Sequence, residues 1–336
     1  MPSLFIPSAH EEMSIENSIK QQMNTWAGSA IPFLFIIDFE LKKPLIFRLG
    51  EIDSQKLLYS INGLTNCHDR IEGLKRFRFK KYPEKYEDYL VKFNNVKVEI
   101  ASGNSFLLNL TCSTPIELDL TLKEVFMMSN ARYRLWVDEH FVCFSPEIFV
   151  TIQDGIIRSF PMKGTIDAAI PDAEKIILND YKETAEHYTI VDLIRNDLSM
   201  ISERVRVERF RYTDTLVTNE KKLLQVSSEI CGVLAKDYLS HIGDIVYALL
   251  PAGSVCGAPK RKTVEIISEI EGRERGYYTG IFGIFDGGNL DSGVMIRFIE
   301  KDSYGYIYHS GGGITSFSDP VSEYKEMIDK IYVPVV

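Results

Sequence analysis

The order of local signals along the chain predicts an α+β fold built on mainly antiparallel sheets. Three observations carry that expectation. Segments with helical spacing are interspersed with strand pairs joined by tight turns, rather than alternating one strand with one helix. The turn signals between strand-like runs are those of hairpins. No unit of 20–50 residues repeats, and no low-complexity linker divides the 336 residues. A length of about 150 residues per domain would allow two domains; the unbroken pattern instead reads as one catalytic domain with a short N-terminal extension.

In chain order, Ile15, Ile19, Met23 and Trp26 recur at spacings of four, four and three, an amphipathic helix over 13–26. Residues 31–39 and 44–49 read as two strands around the charged turn Lys42-Lys43. The stretch 51–85, mixed and rich in Arg, Lys and Tyr, predicts loop and short helix. Residues 86–100 read as a helix stopped by Ser102-Gly103, 105–112 as a strand and 118–128 as a helix. Hairpins follow over 133–144, turning near Asp138-Glu139, and 150–160, turning at Asp154-Gly155. Residues 172–199 give the longest helical pattern, with Ile177, Tyr181, Ala185, Tyr188 and Val191 on one stripe. One helix precedes Pro251 and another follows Pro259; strands run through 277–286, 293–299 and 303–309. A final short helix starts at Asp319-Pro320, where Asp suits the cap and Pro the first turn.

Composition sets outer limits. Hydrophobic residues are 45% and charged residues 25%, so neither disorder nor a fibrous fold is expected. Lys plus Arg is 38 against 47 acids, a formal charge of −9, which argues against nonspecific binding to nucleic acid or anionic membrane. The five cysteines, Cys67, Cys112, Cys143, Cys231 and Cys256, have no CxxC spacing and form no even disulfide framework, as expected of a reducing compartment. The N-terminal residues lack a secretory pattern, and apolar runs such as 31–37 fall short of the roughly 20 residues of a membrane span. The expectation is a cytoplasmic protein.

Five segments carry polar or glycine-rich sequence that core packing does not require. Ser145-Pro146-Glu147 places a carboxylate after a strand; taken alone it reads first as a surface-loop acid. Pro161-Met162-Lys163-Gly164-Thr165 brackets a lysine in a tight turn, and a lysine nucleophile must be a free amine to react. In KETAEHYTIVDLIRNDL (182–198), Glu183 and Glu186 share a helical face; HExxH is absent, which argues against a catalytic zinc. PAGSVCGAPK (251–260) has the small residues of an anion-binding turn but not the GxxxxGK[ST] of a P-loop. GGGITSFSDPVSEYKEMIDK (311–330) begins with glycines that permit close backbone approach, then sets Glu323, Glu326 and Lys330 on one helix face. Together the two glutamate pairs can hold a hard cation such as Mg²⁺. Between these segments lie Tyr278, within RGYYTG, and Arg297, the type of strand-end arginine that forks a carboxylate.

Taken in this order, SPE, PMKGT, KETAEHYTIVDLIRNDL, PAGSVCGAPK, RGYYTG, IR and GGGITSFSDPVSEYKE strongly resemble the chorismate-utilising enzymes, over about residues 95–330. PMKGT is similar to the PIKGT of the aminodeoxychorismate synthase component I branch, whereas anthranilate synthases read PIAGT; Lys163 is the discriminating residue. The resemblance implies a four-layer α/β/β/α fold with two orthogonally packed sheets and an active site between them. It also implies a catalytic region over 95–336, with 1–94 as an N-terminal extension that supplies part of the sheet scaffold.

The resemblance further implies roles. Lys163 would attack C2 of chorismate as the C4 hydroxyl leaves, and ammonia would then add at C4 and expel the lysine. Glu147, sixteen residues before Lys163, would be the acid and base for the hydroxyl. Glu186 and Glu326 match Mg²⁺ ligands, with Glu183 and Glu323 beside them; Tyr278, Arg297, Gly311 and Gly313 match carboxylate-holding positions; Gly164, Thr165 and Ser254 match further substrate contacts. GxCxG is absent, so the ammonia is expected from a separate glutamine amidotransferase subunit. Two departures concern the site. Where relatives read HLVS this chain has Leu224-Gln225-Val226-Ser227, which is expected to remove a polar group. Leu107 stands where isochorismate and salicylate synthases have a general-base lysine, which argues against water activation at C2. The short region before residue 95 predicts no tryptophan feedback. Anthranilate synthase component I, and a weakly catalytic chorismate-binding subunit suggested by Leu107 and Leu224, stay open as alternatives.

Overall fold

Side chains along the central strands feed two different cores in alternation. The computed structural model describes residues 9–69, 71, 77–217 and 222–333. In strand Phe33–Ile37, Phe33, Phe35 and Ile37 face one core while Leu34 and Ile36 face another. Its neighbour Ile281–Phe285 repeats this, with Ile281 and Phe285 on one side and Phe282 and Ile284 on the other. Strands apolar on both faces must be covered on both. Met23 of helix Ala9–Gly28 and Ile245 and Val246 of helix Ile242–Ala248 cover the outer face. The inner face meets Tyr133, Leu135, Phe141 and Cys143 of a second sheet. That sheet turns Trp136, Val142 and Phe144 outward to helices Tyr86–Ala101, Leu122–Met128, Lys260–Glu271 and Pro320–Asp329, through Phe93, Val125, Ile266 and Met327. Three cores therefore separate four layers, α/β/β/α, in agreement with the expected architecture.

The first sheet runs Met162–Asp167, Lys222–Val233, Ile156–Ser159, Ile148–Gln153, Leu290–Val294, Ile281–Phe285, Phe33–Ile37, Leu45–Arg48, with Glu203–Val217 also paired to Lys222–Val233. The second runs Gly257–Ala258, Leu107–Leu118, Tyr306–Ile314, Phe298–Lys301, Phe141–Ser145, Tyr133–Val137, Leu57–Ile61, Leu64–Thr65, with Phe79–Lys81 also on Leu107–Leu118. All pairings among the described residues are antiparallel. The predicted hairpins form, and Asp154 and Gly155 both take positive φ, +52° and +73°, as a two-residue turn of that hand requires. Thr121 caps Leu122–Met128 through a reciprocal pair of hydrogen bonds with Glu124.

Four expectations need correction. Where loop and short helix were expected over 51–85, the described residues contain strands Leu57–Ile61, Leu64–Thr65 and Phe79–Lys81; these short segments are completed by distant partners. The 172–199 helix is two, Ala173–Asn179 and Tyr181–Ser199, separated by extended Asp180, whose carboxylate accepts from the Glu183 amide at 2.8 Å. The break changes the phase, so Tyr181 and Tyr188 of the expected stripe are 80% and 56% exposed, while Glu186, His187 and Ile190 turn inward. The predicted strand 293–299 is the end of one strand and the start of another, in different sheets. Finally, the stretch Tyr238–Cys256 is apolar enough by composition to span a membrane. It is interrupted at Pro251 between helices Ile242–Ala248 and Gly253–Cys256, and Ile242, Val246 and Leu249 pack in the core of the first sheet.

Candidate active site

Two passages of chain from one sheet to the other build the cleft. Pro146 and Glu147 link Phe141–Ser145 of the second sheet to Ile148–Gln153 of the first. Met295, Ile296 and Arg297 link Leu290–Val294 of the first sheet to Phe298–Lys301 of the second. The crossings are adjacent, because the Val294 amide donates to the Glu147 carbonyl at 3.1 Å. Arg297 takes φ +54°, an uncommon conformation for a bulky side chain. Strain of this kind persists where surrounding structure holds it, and here it turns the guanidinium into the cleft. The Tyr332 ring lies 5.6 Å from that guanidinium, and its hydroxyl is 3.3 Å from Nε.

Lys163 reaches the same cleft from a β-bulge. Met162 pairs with Ser227 and Thr165 with Gln225, so Lys163 and Gly164 together oppose one residue. Gly164 supplies the left-handed turn, φ +79°, that such a bulge needs. A Cβ there would lie 3.0 Å from Glu183 Oε2. The Lys163 ammonium is 3.4 Å from Glu186 Oε2 and points toward the glycine strand, where a Cβ on Gly313 would stand 3.1 Å from Nζ. Gly311 is constrained too: a Cβ would sit 2.4 Å from the Leu110 carbonyl oxygen. Opposite, Ser254 donates to Glu147 Oε1 at 2.5 Å. Burial pushes the Glu147 carboxyl above its ordinary value, against the opposing pull of Ser254, Lys163, Arg297 and Lys330. Its protonated form is thereby favoured.

The cleft encloses about 210 Å³ and brings together Glu147, Lys163, Gly164, Thr165, Ser254, Tyr278, Arg297, Gly311, Gly313 and Glu326. Glu183 and Glu186 approach from helix Tyr181–Ser199, and Glu323, buried, lies near Gly312 with its Oε2 3.5 Å from where a Cβ would be. The four glutamates suit a hard divalent cation by donor type, and they exceed the charge of the two lysines beside them, Lys163 on Glu186 and Lys330 on Glu326 at 2.7 Å. Among the described residues, no three acidic, His or Cys side chains converge as a preformed metal site.

Several lining residues had no site role assigned to them from sequence. Lys330 enters the cleft, donating to the Gly311 carbonyl at 2.8 Å; burial lowers its pKa, partly offset by Glu326. Its signal was present in the spacing Glu326 to Lys330. Asn109 and Thr279, the latter within RGYYTG, also line the wall. Gln225, not Leu224, faces the cleft, because its strand partner is Thr165 and neighbouring strand residues point to opposite faces. The expected loss of a polar group is therefore corrected: an amide occupies the wall. Arg275, by contrast, is internal; it forks Glu271 at 2.6 and 3.0 Å, each side chain 1% exposed. The described cysteines Cys231 and Cys256 are buried.

A family model described as chorismate binding enzyme matches residues 52–335. A Haemophilus influenzae protein described as an uncharacterized PabA-like protein is 49% identical over 315 residues, covering 94% of this chain and 96% of that protein. Aminodeoxychorismate synthase component 1 of Bacillus subtilis is 32% identical over 70% of this chain, which spans 52% of that protein. Anthranilate synthase component 1 of Archaeoglobus fulgidus is 33% identical over 88% of this chain and 72% of its own. A structure of a Bacillus anthracis protein titled putative 2,3-dihydroxybenzoate-specific isochorismate synthase shares the fold, with TM-score 0.70, 19% identity and coverage of 95% and 87%. The chain belongs to the chorismate binding enzyme family.

Proposed function

We propose that this chain aminates chorismate at C4 to give 4-amino-4-deoxychorismate, as the catalytic subunit of an aminodeoxychorismate synthase on the way to para-aminobenzoate and folate. The observation that carries the reading is Lys163, presented by a glycine bulge into a cleft that it shares with Glu147 and Arg297. The uncharged amine of Lys163 attacks C2, the two conjugated ring double bonds (C1=C2 and C5=C6) shift to C6=C1 and C4=C5, and the C4–O bond breaks as Glu147 gives its proton to the departing hydroxyl, releasing water. Ammonia then adds at C4, both double bonds return to C5=C6 and C1=C2, and the C2–N bond breaks; the proton lost by the new C4 nitrogen replaces the one needed by the departing lysine. Arg297, Lys330 and the backbone amides beside Gly311 and Gly313 hold the substrate carboxylates. The Lys163 side chain lies beside Glu186, the nearest acceptor for the proton it must shed. Mg²⁺, held by Glu186 and Glu326 with Glu183 and Glu323 near them, would supply positive charge to the ring carboxylate. Ammonia comes from a separate glutamine amidotransferase, since the sequence has no GxCxG nucleophile pattern and Cys231 and Cys256 are buried.

The second reading, anthranilate synthase, is favoured only by relatives of that name at comparable identity. Product analysis separates them. Purified protein with chorismate, Mg²⁺ and excess ammonium chloride should yield aminodeoxychorismate by chromatography and mass spectrometry. Anthranilate would replace the C4 reading by C2 amination, and unchanged chorismate in the presence of ammonium would reject turnover by this subunit alone.

A further inference from the structure

Behind the cleft wall lies an imidazole that the reaction above does not use. His309 sits in strand Tyr306–Ile314, two residues before Gly311, and is 5% exposed. Its Nε2 is 2.9 Å from Glu300 Oε2 and its Nδ1 is 3.2 Å from Ser113 Oγ. A carboxylate only accepts, so Nε2 carries the hydrogen and Nδ1 accepts from the Ser113 hydroxyl. Both ring nitrogens are thereby committed and the ring is fixed in its plane. One face of that ring stacks on Tyr278, with centroids 5.1 Å apart and planes 24° apart. Phe298 closes the edge of both rings, 5.9 Å from each. Tyr278 is 3% exposed and lines the cleft, and Phe298 directly follows Arg297.

We propose that His309, held by Glu300 and Ser113, is a positioning residue that sets the tilt of the Tyr278 ring and so the wall it presents to bound substrate. Three features separate this from ordinary core packing. An apolar side chain of the same volume would fill the space, yet the position holds a ring with two directed hydrogen bonds. Glu300 is half-exposed and reaches in from the neighbouring strand, which adds a charged partner to an otherwise apolar cluster. The stack is near-parallel, so a rotation of the imidazole would carry the phenol ring with it. Burial holds the imidazole below its ordinary value, opposed by Glu300 and by the more distant Glu271 and assisted by Arg273, so the neutral, singly donating ring is the resting form.

The proposal rests on the reading of this cleft as the chorismate site, and its test keeps the two apart. In the full chain, His309→Leu should raise the KM for chorismate about tenfold while kcat changes less than about twofold. His309→Gln, whose amide can donate to Glu300 and accept from Ser113, should recover most of that loss. Glu300→Ala, which leaves the apolar packing untouched, covers the case of a His309→Leu protein that does not fold; it should raise KM about threefold. An unchanged KM in His309→Leu or Glu300→Ala, or equal losses in the Leu and Gln variants, overturns the proposal. Proton NMR of the imidazole tests the contact without activity: the signal lost in His309→Gln should shift in Tyr278→Leu. A signal that stays in place overturns the stack even in a protein that does not turn over chorismate.

Discussion

Ser254→Ala should move the alkaline limit of activity upward. The hydroxyl lies 2.5 Å from Glu147 Oε1 and donates to it, which favours the charged carboxylate. Burial acts in the opposite direction and prevails, holding the Glu147 value above that of an ordinary carboxyl. A hydrogen bond to a charged group is worth about 1.5–3 kcal/mol, or about one to two pKa units. Lys163, Arg297 and Lys330, which also favour the carboxylate, are not removed by the substitution, so the Glu147 value is expected to move further up without losing all of its opposing pull. The sign follows from the role. Glu147 must be protonated to release the C4 hydroxyl, so rate falls as pH rises through its pKa, and raising that pKa carries the fall to higher pH. The measurement is the ratio of kcat in the variant to kcat in the wild type, at saturating chorismate, across the pH range that contains the alkaline fall of the wild-type rate. Equal total ammonium in both cancels the titration of ammonia. A ratio that rises with pH supports the assignment; a flat ratio, or a limb displaced to acid, refutes Glu147 as the proton donor.

The remaining predictions concern the scaffold and the cation. Arg275→Met removes the fork from buried Glu271, leaving it Thr111 and, at 3.7 Å, Arg273, and should cost about 3 kcal/mol, read as a lower urea midpoint with unchanged slope. Because Arg275 holds the Glu271 value below its ordinary 4.5 despite burial, the pair's contribution is complete above that ordinary value and is lost as pH falls through the depressed one. The gap between variant and wild type should therefore narrow in acid, and a constant gap would contradict the pairing. Gly311→Ala places a Cβ 2.4 Å from the Leu110 carbonyl and should cost about 1–3 kcal/mol together with chorismate binding. Gly312→Ala, whose nearest contacts at 3.5 and 3.7 Å are ends of side chains, should fold as the wild type does. Glu326→Ala should abolish activity and its dependence on Mg²⁺, and undiminished Mg²⁺-dependent turnover would remove Glu326 from the cation site.

Much of the site was legible because chemistry-bearing residues stand in turns and strand ends, where packing leaves their identity free. The Lys163-Gly164 bulge and Gly311 of the triple glycine are visible as sequence because each requires a residue type that the backbone dictates. Phase was harder. The helix from Tyr181 buries Glu186 and His187 and exposes Tyr181 and Tyr188, so a stripe drawn through apolar residues follows the wrong face. The pairing of Gln225 with Thr165, which turns the amide into the cleft, depends on a bulge whose register no single strand reveals. The same holds for Glu203–Val217, where register shifts at three places interrupt the alternation that would announce a strand. The change of sheet at Met295, Ile296 and Arg297 is a tertiary decision, since locally those residues continue an apolar run. Lys330 was seen on its helix face, but that it turns into the cleft depends on where helix Pro320–Asp329 docks on the glycine strand.

The covalent role of Lys163 is most directly tested by intact-protein mass spectrometry. Protein would be mixed with chorismate and Mg²⁺ without ammonium, quenched in acid and digested. The account predicts a mass increase equal to chorismic acid less one water, located on the peptide containing Lys163, absent from Lys163→Ala and discharged when ammonium is added before the quench. A protein that makes aminodeoxychorismate at the wild-type rate after Lys163→Ala, with no adduct at any time, would contradict it.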